Sequence, residues 1–170
     1  MKLPLESYRT LVFDCDGVIL NSNRIKTEAF YNVALAYGKI AAEALVEYHV
    51  QNGGISRYMK FTHFLEKIVP VGAKGPGRDE LLKSFADLVR QGLLTCDIAE
   101  GLAALRKKTG HARWLVVSGG DQVELRDIFE QRKLADYFDR GIYGSPDTKD
   151  VILAREFKAG GVSLPALFLG

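Results

Sequence analysis

The sequence predicts an α/β fold: a mostly parallel sheet flanked by helices and interrupted by a small all-helical domain. Three observations carry this. The runs at 10–13, 114–117 and 166–169 are short and continuously apolar, as strands buried on both faces are. From Cys96 onward such runs alternate with helical patterns, the signature of βαβ units. Between residues 22 and 93 apolar residues fall only at helical spacing, and helices alone cannot belong to the sheet. The expected division is a discontinuous core, residues 1–21 and 94–170, with a helical domain of residues 22–93 inserted after the first strand.

The elements follow in order. Strand 10–13 ends in the polar turn Asp14-Cys15-Asp16-Gly17. Ile25, Ala29, Phe30, Val33 and Tyr37 then share a helical stripe, with Asn23 as N-cap and Gly38 as stop. A second helix covers 41–51 and halts at Gly53-Gly54. A third places Phe61, Phe64, Leu65 and Ile68 on one stripe and ends at Pro70. The Gly/Pro-rich stretch 71–77 reads as a linker. A fourth helix carries Leu81, Leu82, Phe85, Leu88 and Val89 and stops near Gly92. Asp97 is expected to cap a helix bearing Ile98, Leu102 and Leu105. Strand 114–117 turns at Ser118-Gly119-Gly120, and Asp121 with Glu124 resembles a capping box for a helix burying Val123, Ile128 and Phe129. A short strand at 141–143, a helix after 146–149 and a last strand at 166–169 complete the pattern.

Composition narrows the function. In 170 residues, 23 basic and 21 acidic side chains leave a net charge of +2, too little excess for nucleic-acid binding by bulk electrostatics. The one dense basic run, Arg106-Lys107-Lys108, sits at a helix end, where it suits the dipole and faces water. No apolar run is long enough for a membrane span or a signal peptide. Two cysteines make neither a disulfide framework nor a zinc cluster. A chain of this length buries about 70% of its unfolded surface, enough for a core without staples. A cytoplasmic protein, monomer or homodimer, is the expectation.

Chemistry concentrates at strand ends, where open α/β sheets place ligands. Asp14 and Asp16 leave the first strand two residues apart, so their side chains can converge while Cys15 turns away. Paired carboxylates divide labour: one acts as nucleophile or cation ligand, the other moves a proton. Ser118, Gly119 and Gly120 before a helix suggest a phosphate seat of hydroxyl and backbone N–H groups. Lys149 supplies a mobile ammonium able to neutralise an anion. Two carboxylates beside a phosphate call for a cation, and oxygen ligands of this kind favour Mg²⁺.

These residues resemble the motifs of the haloacid dehalogenase superfamily, across nearly the whole chain: LVFDCDGVILNS at 11–22, then 115–119, then Lys149, with 166–170 similar to the strand leading to a fourth motif. The resemblance implies a Rossmann-like three-layer core with a helical cap, as in the subgroup of phosphoglycolate phosphatases and β-phosphoglucomutases. It further implies Asp14 as nucleophile, forming an aspartyl-phosphate, and Asp16 as the acid and base that protonates the leaving oxygen and activates water. Ser118 and the Gly119 N–H would hold phosphate oxygens, Lys149 would stabilise charge, and Asp14 with Asp16 would bind Mg²⁺. The implied activity is hydrolysis of a small phosphorylated metabolite, such as a sugar phosphate. A phosphomutase and a non-catalytic phosphate-binding relative are the alternatives. The segment Gly53-Gly54-Ile55-Ser56-Arg57 resembles a substrate-specificity loop, with Arg57 and Lys60 as substrate contacts; Ser56 capping the third helix with Arg57 in solvent is an equal reading.

Two departures stand out. Asn21 replaces an aspartate common in relatives, a change that helix capping tolerates. The acidic metal ligands of the fourth motif, expected after Gly170, are not in the sequence, so it is expected to be truncated, with weakened Mg²⁺ binding and an apolar edge left at the last strand. His49, His63 and His111 show no metal spacing and read as surface or packing residues, Cys15 and Trp114 as core, and Asp121 as a helix cap.

Overall fold

The computed structural model describes residues 4–170. These contain four strands, β1 (Thr10–Phe13), β2 (Arg113–Asp121), β3 (Ile142–Ser145) and β4 (Ala166–Leu169). They form one parallel sheet in the order β3-β2-β1-β4. The chain lays down β1, β2 and β3 in one direction and then crosses back to set β4 on the other side of β1. β1 therefore lies where the strand order reverses, the place at which open α/β sheets bind ligands.

Two units emerge: residues through Asn21 together with Cys96–Gly170, and Ser22–Thr95. In the first, β1 is buried along its whole length, and its pleat sends alternate residues to two different cores. Leu11 and Phe13 share a face with Trp114 and Val116, their ladder partners. There Phe13 lies 4.5 Å from the Trp114 ring and 5.6 Å from Phe138, with Phe129 at 5.5 Å from Phe138. The opposite face joins Val12, Leu115 and Val117 to Ile152 and Val162. Burial on both faces is why these strands read as unbroken apolar runs rather than alternating ones. Buried hydroxyls settle their hydrogen bonds locally: Thr10 Oγ1 donates to Ser163 O and accepts from Ser163 N, both 2.9 Å. Thr109 Oγ1 accepts from the Trp114 indole at 3.0 Å.

The helices of this unit are α5 (Leu102–Lys108), α6 (Gln122–Gln131) and α7 (Lys149–Lys158); the four before them, α1–α4, belong to the second unit. Asp97 does not cap α5. Its carbonyl accepts from Asn21 N–H at 2.9 Å, Ile98 forms an isolated bridge with Leu20, and α5 begins after Gly101, which adopts φ 77°. The basic run is only partly solvated. Arg106 donates to Ala112 O at 2.9 Å and to Asp139 at 3.1 Å, and covers the Trp114 ring at 5.1 Å. Asp121 caps α6 through Glu124 N–H at 2.9 Å, as expected, but Val123 is exposed and Leu125 fills the core position instead. The buried stripe begins two residues later than expected, at Leu125.

The second unit holds α1 (Asn23–Ala34), α2 (Lys39–Gln51), α3 (Arg57–His63) and α4 (Arg78–Thr95). Its core is aromatic: Phe30 lies 4.3 Å from Phe85 and 5.3 Å from Phe61. Asn23 is the first helical residue rather than the cap; Ser22 precedes it, with no side-chain capping bond. The third helix does not run regularly to Pro70 but widens into a π-turn at Phe64–Ile68. Phe64, where the π-turn begins, is buried as the stripe predicts and meets Tyr37 edge-on at 5.4 Å. Leu88, expected on the core stripe of α4, is exposed. α4 also continues through Gly92 to Thr95, because Gly92 is a contact point and not a stop. A Cβ there would fall 2.6 Å from Ile25 Cγ2, so α1 and α4 approach as closely as they do only over a glycine. No helix among the described residues is long and apolar enough to cross a membrane.

Candidate active site

β1 delivers Asp14 to the carboxyl edge of the sheet, its backbone N–H bonded to Leu169 O at 2.8 Å, so the residue is seated between β1 and β4 at the reversal point. Its Oδ1 accepts from Cys15 N–H at 2.7 Å. Its Oδ2 accepts from Lys149 Nζ. The two side chains retain about a fifth to a quarter of their exposure, at 21% and 25%. A carboxylate and an ammonium brought together from positions 135 apart in sequence, and still open to solvent, form a site a small anion can reach. Lys149 owes its place to the start of α7: Thr148 caps the helix through Val151 N–H at 3.4 Å, and Lys149 is the first helical residue. The ammonium also lies 5.7 Å from the Phe168 ring centroid.

Asp16 follows on a tightly wound loop in which Val18, Ile19 and Leu20 N–H groups all return to Cys15 O. Asp16 is half-buried, and Cys15 is fully buried, as alternation predicts. Ser118 stands on the neighbouring strand at the same end of the sheet, since Phe13 pairs with Val116 and Asp14 is level with Val117. The expected phosphate seat differs in one respect. Ser118, Gly119 and Gly120 do not open a helix; they are an irregular continuation of β2, and α6 starts only at Gln122. Ser118 is fully buried and its Oγ accepts from Gly120 N–H at 3.0 Å, while Asp121 occupies the helix N-terminus itself. One donor of that helix start, the Glu124 N–H, is thus taken by Asp121, and Ser118 with the two half-buried glycines lies on a strand bulge before the helix.

The second unit holds the other two sequence candidates. Ser56 caps α3 by accepting from Met59 N–H at 3.4 Å, and the Arg57 guanidinium covers the rings of Phe85 at 5.5 Å and Tyr58 at 5.9 Å. Lys60 is buried, at 2% exposure, with Nζ 2.8 Å from His49 Nδ1. With Lys60 as ammonium donor, His49 accepts through Nδ1 and carries its proton on Nε2. His49 reads as a packing residue in the sequence; its link to Lys60, eleven positions away, has no signature there. Ser145 also escapes the sequence reading; it closes β3 opposite Asp121, and its hydroxyl donates to Gly120 O at 3.1 Å.

Among the described residues no group of three or more His, Cys, Asp or Glu could hold a metal ion. The Asp14 carboxylate and the Asp16 backbone carbonyl, just past the end of β1, are oxygen donors of the kind Mg²⁺ takes beside several waters and substrate phosphate oxygens.

Comparison with known proteins bears on the fold and on the family. A provisional phosphoglycolate phosphatase from Lactobacillus plantarum superposes with a TM-score of 0.69 at 19% identity, over 96% of this chain and 77% of that one. A provisional β-phosphoglucomutase from Thermotoga maritima gives 0.61 at 17% identity, over 94% and 74%. CbbY from Rhodobacter sphaeroides, solved with phosphate, gives 0.63 at 14% identity, over 95% and 76%. At these identities the likeness is one of fold. No curated protein matches the chain in sequence. A family model for haloacid dehalogenase-like hydrolases matches residues 8–159, most of the sequence and all of Asp14, Asp16, Ser118 and Lys149; the chain belongs to the haloacid dehalogenase-like hydrolases.

Proposed function

We propose that the chain is a phosphatase for a small phosphorylated metabolite, working through a phosphoryl group carried on Asp14. The observation that carries this reading is the Asp14–Lys149 pair at the carboxyl edge of β1, where the sheet order reverses. An Asp14 carboxylate oxygen attacks phosphorus as the bond to the leaving oxygen breaks, and Asp16 delivers a proton to that oxygen. Water then attacks the phosphoryl group while Asp16 takes its proton; the bond to Asp14 breaks and inorganic phosphate leaves. Lys149 sets positive charge against the phosphoryl oxygens, and Ser118 with the Gly119 N–H orients them. Charge in such transition states is spread over several oxygens, so most of the rate comes from this positioning and electrostatics. The Asp14 carboxylate and the Asp16 backbone carbonyl would hold Mg²⁺, which would offset the repulsion between carboxylates and phosphate and leave the Asp16 side chain free to move the proton.

The test is hydrolysis of p-nitrophenyl phosphate and a panel of phosphorylated metabolites with Mg²⁺, using Asp14→Asn as the blank. Asp14→Asn is expected to lose on the order of 10³-fold or more in kcat, with Tm little changed. Equal rates in the two proteins overturn the proposal. Free phosphate as product supports a phosphatase; an isomerised sugar phosphate without phosphate release replaces that reading with a phosphomutase.

A further inference from the structure

We propose that Ser145 is a positioning residue that holds the Ser118 hydroxyl in register with Lys149, acting through the backbone of Gly120; the inference rests on the reading of Ser118 as a phosphate ligand. The β2–β3 ladder breaks after the Val117–Tyr143 pair and re-forms at Asp121–Ser145. β2 thus uses four steps where β3 uses two, and the surplus residues make a bulge at 118–120. Bulges of this kind re-aim side chains beside active sites. This one is clamped on both sides of a single residue, Gly120, through the two peptide units that flank it. Gly120 N–H donates to Ser118 Oγ at 3.0 Å, and Gly120 C=O accepts from Ser145 Oγ at 3.1 Å. Both residues are buried, at 0% and 1% exposure, so each of these hydrogen bonds lies inside the fold.

The surroundings are built for this contact. A Cβ on Gly144 would fall 2.2 Å from Gly120 O, so only glycine lets β3 approach the bulge, and Gly144 N–H reaches Gln122 Oε1 at 3.3 Å. Downstream, Arg155 holds Asp147 at 2.7 Å and Thr148 caps α7. Ser145 is therefore the last fixed point of β3 before the short turn that aims Lys149 at Asp14. Loss of its hydroxyl frees the Gly120 carbonyl, and with it the bulge that sets Ser118.

The experiment is titration with inorganic phosphate, followed by ¹⁵N–¹H spectra of the full chain. Ser118→Ala and Ser145→Ala are each expected to weaken phosphate binding about tenfold, the order of one lost hydrogen bond to an anion. Because Ser145 acts only by placing the Ser118 hydroxyl, the double variant should be no more than twofold weaker than Ser118→Ala. Ser145→Thr, which keeps the hydroxyl, should recover binding. Thr109→Val removes another fully buried hydroxyl of the same unit and should lower Tm while leaving phosphate affinity within twofold, which separates positioning from general loss of stability. Affinity within twofold of wild type in Ser145→Ala, or losses that multiply in the double variant, overturn the inference alone. Wild-type protein that binds no phosphate overturns the reading of Ser118 and this inference with it.

Discussion

The sheet unit and the helical unit bury polar side chains in different ways. In the sheet unit the buried polar residues are mainly hydroxyls, Thr10, Thr109, Ser118 and Ser145, with Glu156 as the charged exception. Each hydroxyl is used on nearby backbone or on an indole, and stitches strand ends and loops into place. The helical unit instead buries Lys26 and Lys60 beside Ser22. A hydroxyl is cheap to desolvate once it has one partner, whereas a buried ammonium needs a partner and an aromatic or polar shell, as Lys60 has in His49 and in Phe30 at 5.5 Å. The contrast separates a scaffold tuned for geometry from one that stores charge among aromatic rings.

The largest expected effect on that contrast comes from Phe85, which is 2% exposed and packed on Phe30 and Phe61. Phe85→Ala should cost about 3–5 kcal/mol in urea unfolding of the helical unit. The affinity of the sheet unit for inorganic phosphate should stay within twofold, because Asp14, Ser118 and Lys149 all lie outside it; a parallel loss of affinity breaks the separation. Next in size is Gly92→Ala, which pushes a methyl into Ile25 and should cost about 1–3 kcal/mol. Ile25→Ala in the same chain should restore part of that loss, and a double-mutant cycle of stabilities measures how much. Additive losses would show that Gly92 does not serve the α1–α4 approach.

The smallest effect sharpens the sheet-unit side. Burial, and then the neighbouring Glu156 carboxylate, hold the Tyr143 phenol above its ordinary pKa. The folded chain therefore keeps this proton where the unfolded chain begins to lose it, near pH 10. The stability involved is present below that pH and is lost as the pH rises through the folded-state value. Between pH 9 and pH 11 the urea midpoint of the wild type should fall more steeply than that of Tyr143→Phe. Parallel falls would place the titration elsewhere.

Much of the architecture was legible because two-sided burial leaves strands as continuous apolar runs, and because Asp14 follows β1, Ser118 follows the regular part of β2 and Lys149 opens the helix after β3. The misreadings share a cause. Gly92 reads as a helix stop, yet it is a contact with Ile25, 67 positions away. Asp97 reads as a cap, yet its carbonyl is taken by Asn21. Ser118-Gly119-Gly120 reads as a turn into a helix, yet it is a bulged strand, with Gly120 O accepting from Ser145 and no room for a Cβ at Gly144. Each local pattern is ambiguous between a terminating role and a tertiary one, and only the partner decides.

The amino-acid pattern by itself determined the parallel sheet, the interrupting helices and the residue types available at each strand end, since periodicity and burial are properties of short segments. The pairing of Asp14 with Lys149, the clamp on Gly120 and the burial of Lys60 against His49 were decided only by the tertiary structure. They join residues between 11 and 135 positions apart, and separations of that kind are set by how elements pack and not by any signal within them.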